Sequence, residues 1–409
     1  MNETNVLFLA ILKAALHGER PELPSNIPTE QWQALFHLAG IHKVLPLIYE
    51  AVYRHPSLAG TALLGRAKQQ VRHQVVMQTL RTEEFLALND ELQAAGVNPL
   101  IVKGIVCRSL YPQPDHRPSG DEDVLIPPAQ LGLCHQALTR FGMTTTAQAQ
   151  AYELPYRKAD SPLYIELHQH LFPPEQAAYG DLNRFFADVH RRAITVQIQG
   201  HSIRTLDHTD HLFYLICHAF KHFLHSGFGI RQVCDILLFT NAYGAVVDWP
   251  QILKNCRAIR AERFAGAIFA IGRRHLGLDV RQAAYPESWQ ALEVDEMPIL
   301  LDLLSAGLYG DASMSRKHSS NITLDAMAAQ KTGKKARGAL LSSVFPSARQ
   351  LKGRYPYLKK HPYLLPVAWG SRLLHYGAER RNTRQNNAAD ALKIGNKRLE
   401  LMKFYGILE

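Results

Sequence analysis

Hydrophobic residues recur every three or four positions along the first part of the chain, as at Leu7 and Ile11 and again through residues 71–88. This spacing is typical of amphipathic helices that bury one face. Gly96 follows the last of these positions, and a glycine there is typical of a helix end. The pattern therefore predicts an N-terminal helical region over residues 1–92.

The hydrophobic period changes after residue 96. Short apolar runs typical of β-strands lie at residues 100–102, 124–126 and 163–168, with helical patterns and a loop containing proline and glycine between them. The order strand, helix, strand, helix, strand predicts a small α/β core over residues 93–206.

Helical spacing returns after about residue 207 and continues nearly to the end of the chain. It predicts a helical region over residues 207–330 that packs on the core. A basic segment follows over residues 331–409, where glycines and prolines interrupt the helical pattern. The expected fold class is α+β and mostly helical, with a small mixed sheet embedded between N-terminal and C-terminal helical regions.

Composition narrows the class of protein. The 409 residues exceed what one ordinary core accommodates, and 46% hydrophobic residues are ordinary for a globular protein. The five cysteines lack paired spacing, which argues against a disulfide framework or a cysteine-rich zinc module and favours a reducing cytoplasm. We expect no signal peptide, because no basic residue precedes the first apolar stretch. We expect no transmembrane segment, because no apolar run approaches about 18 residues.

The net charge of +10 is unevenly distributed. Residues 331–409 contain 17 Lys and Arg against four Asp and Glu, whereas residues 1–330 contain 29 against 32. Such a basic segment predicts an anionic partner, which could be nucleic acid, a membrane surface or a phosphorylated protein. The alternative is a solvated, helix-rich surface with no charged partner.

Three acidic residues lie in or beside the predicted strands of the core. Asp121 and Asp123 are two positions apart at the start of a strand, so they point to one face while Glu122 points to the other. Two such carboxylates repel each other unless a cation neutralises them, and Mg²⁺ (or Mn²⁺) suits carboxylate, phosphate and water oxygens. Glu166 lies inside another apolar strand, where an ionised group is costly unless it is paired or metal-bound. If the two strands are neighbours, the three acids form one site.

Glycine and basic residues near the same strands predict a phosphate site. Gly104 follows the first strand and begins a helical pattern. Backbone N–H groups at such a helix start can approach phosphate oxygens, and the helix dipole favours anions there. Lys103 and Arg117 could add positive charge to the same end of the sheet.

These residues carry a resemblance to a known family. Residues 100–104, 117–125 and 165–168 read LIVKG, RPSGDEDVL and IELH, and this pattern resembles the uncharacterised nucleotidyltransferase family of the polymerase-beta superfold. The superfold has a glycine motif after its first strand, an acidic pair on the next and a third acid on a later strand. The resemblance implies a nucleotide-phosphate loop at Gly104, metal binding by Asp121 and Asp123, and a third acid at Glu166 that helps to deprotonate the acceptor hydroxyl.

The chain departs from the wider superfold after the glycine. Ile105 follows Gly104 where many members carry serine or a second glycine, so a hydroxyl that would contact the triphosphate is missing.

Several histidines add further candidates. His218 and His222 share one helical face, but the glutamate of a zinc-binding HExxH motif is missing, so we do not expect zinc there. The resemblance implies instead that these histidines, with Lys221, Arg231 and Asp235, contact phosphate, base or acceptor. The alternative is that Asp235 pairs with a histidine or arginine to tie two helices together.

The predicted site residues form two sets. The predicted catalytic and metal-binding residues are Asp121, Asp123 and Glu166. The predicted nucleotide-binding residues are Lys103, Gly104, Arg117, Gly120, His168, His218, His222, Arg231 and Asp235. His168 belongs to the second set because it shares a face with Glu166, although histidines beside carboxylates are common for structural reasons.

The first functional hypothesis is a metal-dependent enzyme that moves a nucleotidyl group from a nucleoside triphosphate to an unknown acceptor, which could be a small molecule, a glycan or a peptide. The second is a glycosyltransferase-like enzyme that uses a nucleotide-sugar in the same acidic site. The third is a non-catalytic protein that binds a nucleotide or another anion.

Overall fold

A computed structural model of the chain describes residues 1–146, 153–174, 178–225, 227–292 and 294–306 and, beyond these, residues 320, 322–324, 326–328, 330, 348–351, 355–371 and 388–409. The chain divides into two compact units. The first comprises Met1–Glu175, Asp181–Ala219 and Phe228–Leu308, and the second comprises Gln176–Gly180, Phe220–Gly227 and Tyr309–Glu409. The four-part division predicted from the sequence stays a prediction.

The first unit begins with four helices, as the hydrophobic spacing predicts. They are α1 (Glu3–Leu16), α2 (Thr29–Ile41), α3 (Leu45–Val52) and α4 (Ala62–Ala94). The side chains of Asn2 and Thr61 accept hydrogen bonds from backbone N–H groups in the first turns of α1 and α4, which stabilises both helix starts. Gly96 has a φ of +81°, a left-handed conformation typical of the residue that follows a helix.

A five-stranded mixed sheet follows these helices, which confirms the predicted fold class. Its strands are β1 (Leu100–Val102), β2 (Glu122–Leu125), β3 (Met143–Thr144), β4 (Glu153–Lys158) and β5 (Tyr164–His168), in the spatial order β1-β2-β5-β4-β3. Only β2 and β5 are parallel to each other, and their register pairs Asp123 with Glu166. The short helices α5 (Gly104–Arg108) and α6 (Leu131–Arg140) follow β1 and β2.

The two faces of the sheet differ in chemistry. Ile165 and Leu167 of β5 belong to a buried apolar cluster with Leu88 and Leu92 of α4 and Leu138 of α6. Because side chains alternate along a strand, the intervening residues of β5 lie on the opposite face. Those residues are Tyr164, Glu166 and His168. The sheet therefore has one apolar face and one face with polar and charged side chains.

The rest of the first unit is a two-stranded ribbon and further helices. The ribbon is β6 (Ile194–Ile198) and β7 (His201–Thr205). The helices are α7 (Val189–Arg192), α8 (His208–Leu224), whose last five residues belong to the second unit, α9 (Ile230–Tyr243), α10 (Trp249–Ala258), α11 (Glu262–Ile271), α12 (Glu287–Gln290) and α13 (Met297–Ala306). The sequence did not lead us to predict β3, β4, β6 or β7.

The second unit contains α14 (Ala348–Leu351) and α15 (Ala388–Phe404). Within the basic segment predicted over residues 331–409, the stretches 331–347, 352–354 and 372–387 lie outside the described residues. Throughout the part of the chain that the structure describes, no helix combines the length and the apolar character needed to cross a membrane. All five cysteines are buried and free.

Glu122 anchors the polar start of β2 from the face opposite to Asp123. Its fully buried carboxylate accepts hydrogen bonds from the Ile105 backbone N–H (2.8 Å) and from Arg108 Nη2 (2.8 Å). Arg108 is itself 1% exposed. This buried ion pair holds α5 against β2. Removing either partner would leave the other charge buried without compensation.

Replacing Glu122 should therefore destabilise the fold. We expect Glu122→Gln to lower the free energy of unfolding by about 3–5 kcal/mol, since the Arg108 guanidinium would lose its buried carboxylate. Urea denaturation followed by circular dichroism measures the change. Glu83→Gln, at an exposed position of α4, is the control and should change stability by less than about 0.5 kcal/mol. Equal effects of the two substitutions would contradict this account of Glu122.

Candidate functional site

Two carboxylates and one imidazole converge on the polar face of the sheet. One ligand atom from each of Asp123, Glu166 and His168 lies within 4.8 Å of the others. His168 Nε2 lies 3.1 Å from Asp123 Oδ1 and 3.9 Å from Glu166 Oε2. The proximity of Asp123 and Glu166 follows from the parallel register of β2 and β5. His168 joins them because it lies two residues beyond Glu166 on the same face.

Asp121 lies just before β2 and is half-buried. It lines the same small cavity as Asp123, but it is not part of the cluster formed by Asp123, Glu166 and His168. Its negative charge is close enough to act on Glu166 electrostatically. Metal binding by Asp121 stays a prediction.

Lys103 neutralises one carboxylate of the cluster. Its Nζ lies 2.6 Å from Asp123 Oδ2. Burial opposes ionisation of Asp123, but the Lys103 ammonium and the His168 imidazole outweigh burial and hold the pKa of Asp123 well below its usual range. Burial also opposes the charge on Lys103, yet Asp123 and nearby groups raise the Lys103 pKa well above its usual value. Both groups are therefore charged at neutral pH.

Glu166 has no comparable compensation. Burial and the negative charges of Asp121 and Asp123 raise the pKa of Glu166 from 4.5 to about 8, although Lys103 acts in the opposite direction. A divalent cation would balance the negative charges of Asp121, Asp123 and Glu166, and the donor atoms suit such an ion. Carboxylate oxygens are ligands for Mg²⁺ and Mn²⁺, and an imidazole nitrogen suits transition metals. Asp123, Glu166 and His168 therefore fit a single divalent ion.

The turn between β1 and α5 carries two positive φ values, +44° at Lys103 and +32° at Gly104. A Cβ atom on Gly104 would lie 2.0 Å from Glu122 Oε2. The close approach of this buried carboxylate thus explains the glycine. Phosphate binding by Gly104 stays a prediction.

His211 holds the same turn from the other side. The Lys103 backbone N–H donates to His211 Nε2 at 3.1 Å. Burial lowers the pKa of His211 to about 3, so the ring is neutral and its other nitrogen can donate to Thr205 Oγ1 at 3.2 Å. His211 was not among the predicted site residues, because its contact with Lys103 spans 108 positions.

Arg117 and Asp235 form a buried bidentate ion pair. Arg117 Nε and Nη2 each donate to a separate Asp235 oxygen at 2.7 Å, and the Tyr111 hydroxyl donates to Asp235 at 2.7 Å. Burial opposes ionisation of Asp235, but Arg117 outweighs it and keeps the pKa of Asp235 below its usual range. The pair links the loop before β2 to α9. Asp235 thus pairs with an arginine, as in the structural alternative, but this arginine belongs to a loop and not to a second helix.

A cavity of about 40 Å³ gathers most of the predicted nucleotide-binding residues. Its lining includes Lys103, Gly104, Arg117, Asp121, Asp123, His218, Arg231 and Asp235. His218 Nε2 lies 3.4 Å from Lys103 Nζ, and Arg231 donates to the Pro118 carbonyl. The cavity has room for a phosphate group or a few waters and not for a whole nucleotide.

Other predicted residues lie elsewhere. Gly120 lines a neighbouring cleft together with Asp121. His222 lies one turn after His218 on α8 and belongs to the second compact unit. Conversely, Ser119 and Gln232 line the cavity but were not predicted. Gln232 lies 3.3 Å from His218, a contact that depends on helix packing and leaves no local signal in the sequence.

Comparison with known proteins agrees with this geometry. The sequence profile of a family described as uncharacterised nucleotidyltransferase matches residues 28–277. That span covers more than half of the chain and includes every predicted site residue. No curated protein and no solved structure matches the chain significantly.

The Arg117–Asp235 pair should contribute strongly to stability. We expect Asp235→Asn to lower the free energy of unfolding by about 3–5 kcal/mol, because a buried guanidinium would lose its carboxylate. The same substitution in an exposed pair is the control. Asp188 and Arg191 are 54% and 78% exposed, so Asp188→Asn should cost less than about 1 kcal/mol. Urea denaturation compares the two, and the double variant Arg117→Met/Asp235→Leu should recover much of the loss.

Stability should also depend on pH through Glu166. The pKa of about 8 exceeds the usual 4.5, so the folded state binds this proton more tightly than the unfolded state. The stabilisation is present below pH 4.5 and is lost as pH rises through 8. In EDTA, wild-type protein should therefore lose stability relative to Glu166→Gln between pH 5 and about pH 8. Urea denaturation at several pH values measures this difference, and a constant difference would contradict the raised pKa.

Proposed function

The chain belongs to the family of uncharacterised nucleotidyltransferases, and we propose that it transfers a nucleotidyl group from a nucleoside triphosphate to an acceptor with the help of a divalent metal ion. One observation carries this proposal. Asp123, Glu166 and His168 converge within 4.8 Å on adjacent parallel strands, beside a cavity lined with basic side chains. Anionic phosphates and a divalent cation are complementary to these two halves of the site.

Asp123, Glu166 and His168 would hold the metal ion, with Asp121 nearby as a further carboxylate. When bound, a divalent cation neutralises charge on phosphate oxygens. Mg²⁺ and Mn²⁺ both suit the carboxylates, and the imidazole of His168 favours Mn²⁺ over Mg²⁺. This preference supports testing both ions.

The transfer exchanges one phosphorus–oxygen bond for another. An acceptor oxygen bonds to the α-phosphorus of the triphosphate, the bond from that phosphorus to the bridging oxygen of the β-phosphate breaks, and pyrophosphate leaves. Glu166, in its ionised form, accepts the proton of an acceptor hydroxyl. Lys103 and Arg231 offset the charge that develops on the departing pyrophosphate.

Lys103 contacts Asp123 directly. If a cation bound Asp123 instead, the Lys103 ammonium would be able to contact a phosphate oxygen. Because the cavity has a volume of only about 40 Å³, it takes phosphate groups while the sugar and base of the nucleotide lie outside it.

The finer predictions from the sequence belong to this proposal. They are the roles of Gly104, Gly120, His218, His222 and Asp235 in binding the nucleotide, and an anionic partner for the basic segment over residues 331–409. The use of a nucleotide-sugar instead of a triphosphate is the competing hypothesis for the same acidic site.

Incubation of the full chain with each α-labelled nucleoside triphosphate, Mg²⁺ or Mn²⁺, and a broad acceptor panel tests the proposal. We expect release of pyrophosphate and label on an acceptor. Asp123→Asn should lower turnover by at least about a hundredfold, because it weakens the metal site. Asp188→Asn, which changes an exposed aspartate, is the control and should keep wild-type turnover.

Two results would count against nucleotidyl transfer. The first is absence of pyrophosphate release together with absence of thermal stabilisation by any triphosphate. The second is metal-dependent stabilisation by nucleotide-sugars alone, which would favour the competing donor.

A further inference from the structure

A second cleft adjoins the acidic strands on the side away from Lys103. It has a volume of about 510 Å³, and its lining includes Asp121, Arg157, Lys158 and Tyr164. Asp121 also lines the small cavity that contains Lys103. The two spaces therefore share the carboxylate that precedes β2, and the larger one has room for a small organic molecule.

Arg157 is the cation of this cleft whose charge has no carboxylate partner. It is exposed, and within the described residues no Asp or Glu lies at ion-pair distance from it. Lys158, in contrast, lies 3.6 Å from Glu84 and 4.5 Å from the ring centroid of Phe141. A guanidinium with unused donors is suited to bind a phosphate or carboxylate through two hydrogen bonds.

Arg157 lies beside Tyr164, which is close to the proposed base in the sheet. Arg157 of β4 pairs with Tyr164 of β5, and its guanidinium lies 4.9 Å from the Tyr164 ring centroid. Tyr164 lies two residues before Glu166 on the same face of β5. Because a strand rises about 3.3 Å per residue, the Cα atoms of Tyr164 and Glu166 lie roughly 7 Å apart.

The walls of the cleft are held in place by Arg81. Its Nε donates to the Pro162 carbonyl at 3.0 Å, and its Nη1 donates to the Ser119 carbonyl. The loops before β2 and β5 are thereby joined through one side chain of α4. A cleft whose walls are already fixed loses less entropy when it binds a ligand.

We propose that this cleft binds the acceptor, and that the acceptor is a small hydroxyl compound with a phosphate or carboxylate group. Its anionic group would bind Arg157, its carbon skeleton or ring would pack on Tyr164, and its hydroxyl would reach Glu166. This proposal rests on the nucleotidyl transfer proposed above and specifies the class of molecule that receives the nucleotidyl group.

The order of the strands supports this assignment. Lys103 directly follows β1, and Arg157 belongs to β4, while β2 and β5 lie between them in the sheet. In-line transfer requires the attacking oxygen and the leaving pyrophosphate on opposite sides of the phosphorus. Pyrophosphate beside Lys103 and an acceptor beside Arg157 satisfy this requirement across the acidic strands.

Equilibrium dialysis tests the anion site without any turnover. The full-length protein in EDTA is dialysed against labelled glycerol 3-phosphate, glycerate, inorganic phosphate and glycerol. We expect binding of one or both anionic hydroxyl compounds, and Arg157→Gln should weaken it at least about tenfold because a charge-assisted hydrogen bond is lost. Glycerol should not bind measurably. Preference between glycerol 3-phosphate and glycerate would identify the anionic group.

The matched control is Arg184→Gln. Arg184 is also exposed and lies 4.7 Å from the ring centroid of Phe185, so it matches Arg157 in exposure and in its contact with an aromatic ring. It should bind the anions within twofold of wild type. Absence of binding to wild-type protein, or equal binding by Arg157→Gln and wild type, would overturn the acceptor cleft.

Kinetics separate this proposal from the proposed function. With any acceptor that supports turnover, Arg157→Gln should raise the KM for the acceptor about tenfold while kcat and the KM for the triphosphate stay within twofold, and Arg157→Lys should restore part of the loss. Efficient transfer to neutral acceptors that is insensitive to Arg157→Gln would overturn the cleft alone. Anion binding that requires Arg157, without turnover of any triphosphate, would instead contradict nucleotidyl transfer.

Discussion

The mutual repulsion of Asp123 and Glu166 is the constraint on which the rest of the site depends. The parallel register of β2 and β5 places them opposite each other, and two ionised carboxylates at this distance are unfavourable when partly buried. Lys103 compensates Asp123, whereas Glu166 keeps its proton up to about pH 8. Without a bound cation, Glu166 is therefore mostly protonated at neutral pH, and a divalent cation is the ligand that would stabilise its ionised form.

Side chains at the start of β2 alternate between the two faces of the sheet, so Glu122 stabilises the fold whereas Asp123 belongs to the candidate site. Glu122 is saturated by Arg108 and by the Ile105 N–H, and it fixes the turn that carries Lys103. Asp123, on the other face, contacts the side chains of Lys103 and His168 and lines the small cavity. Glu122 and Asp123 therefore have different roles, because Glu122 is enclosed by α5 and Asp123 faces the cavity.

The sequence predicted the parts of the site that depend on local pattern. Alternation and apolar runs placed β1, β2 and β5, and with them Asp123 and Glu166. The sequence did not predict β4, because Glu153–Lys158 has only two buried residues and contains Pro155, which is unusual within a strand. It offered an arginine or histidine as a partner for Asp235 but did not identify Arg117, which is 118 positions away, since such contacts arise from packing between elements and not from spacing.

The cavity beside Lys103 and the cleft beside Arg157 differ in size and exposure, and each suits a different part of the proposed reaction. The cavity of Lys103 is small and bounded by the buried Arg117–Asp235 pair, so its geometry is tightly specified and suits the phosphates shared by all nucleotides. The cleft of Arg157 is larger, and Arg157 is exposed on β4, which lies next to the edge strand β3. Exposed positions tolerate substitution better than buried ion pairs. Substitutions at exposed positions of β4 would therefore alter the proposed acceptor cleft without disturbing Asp123, Glu166 and His168, which lie on β2 and β5.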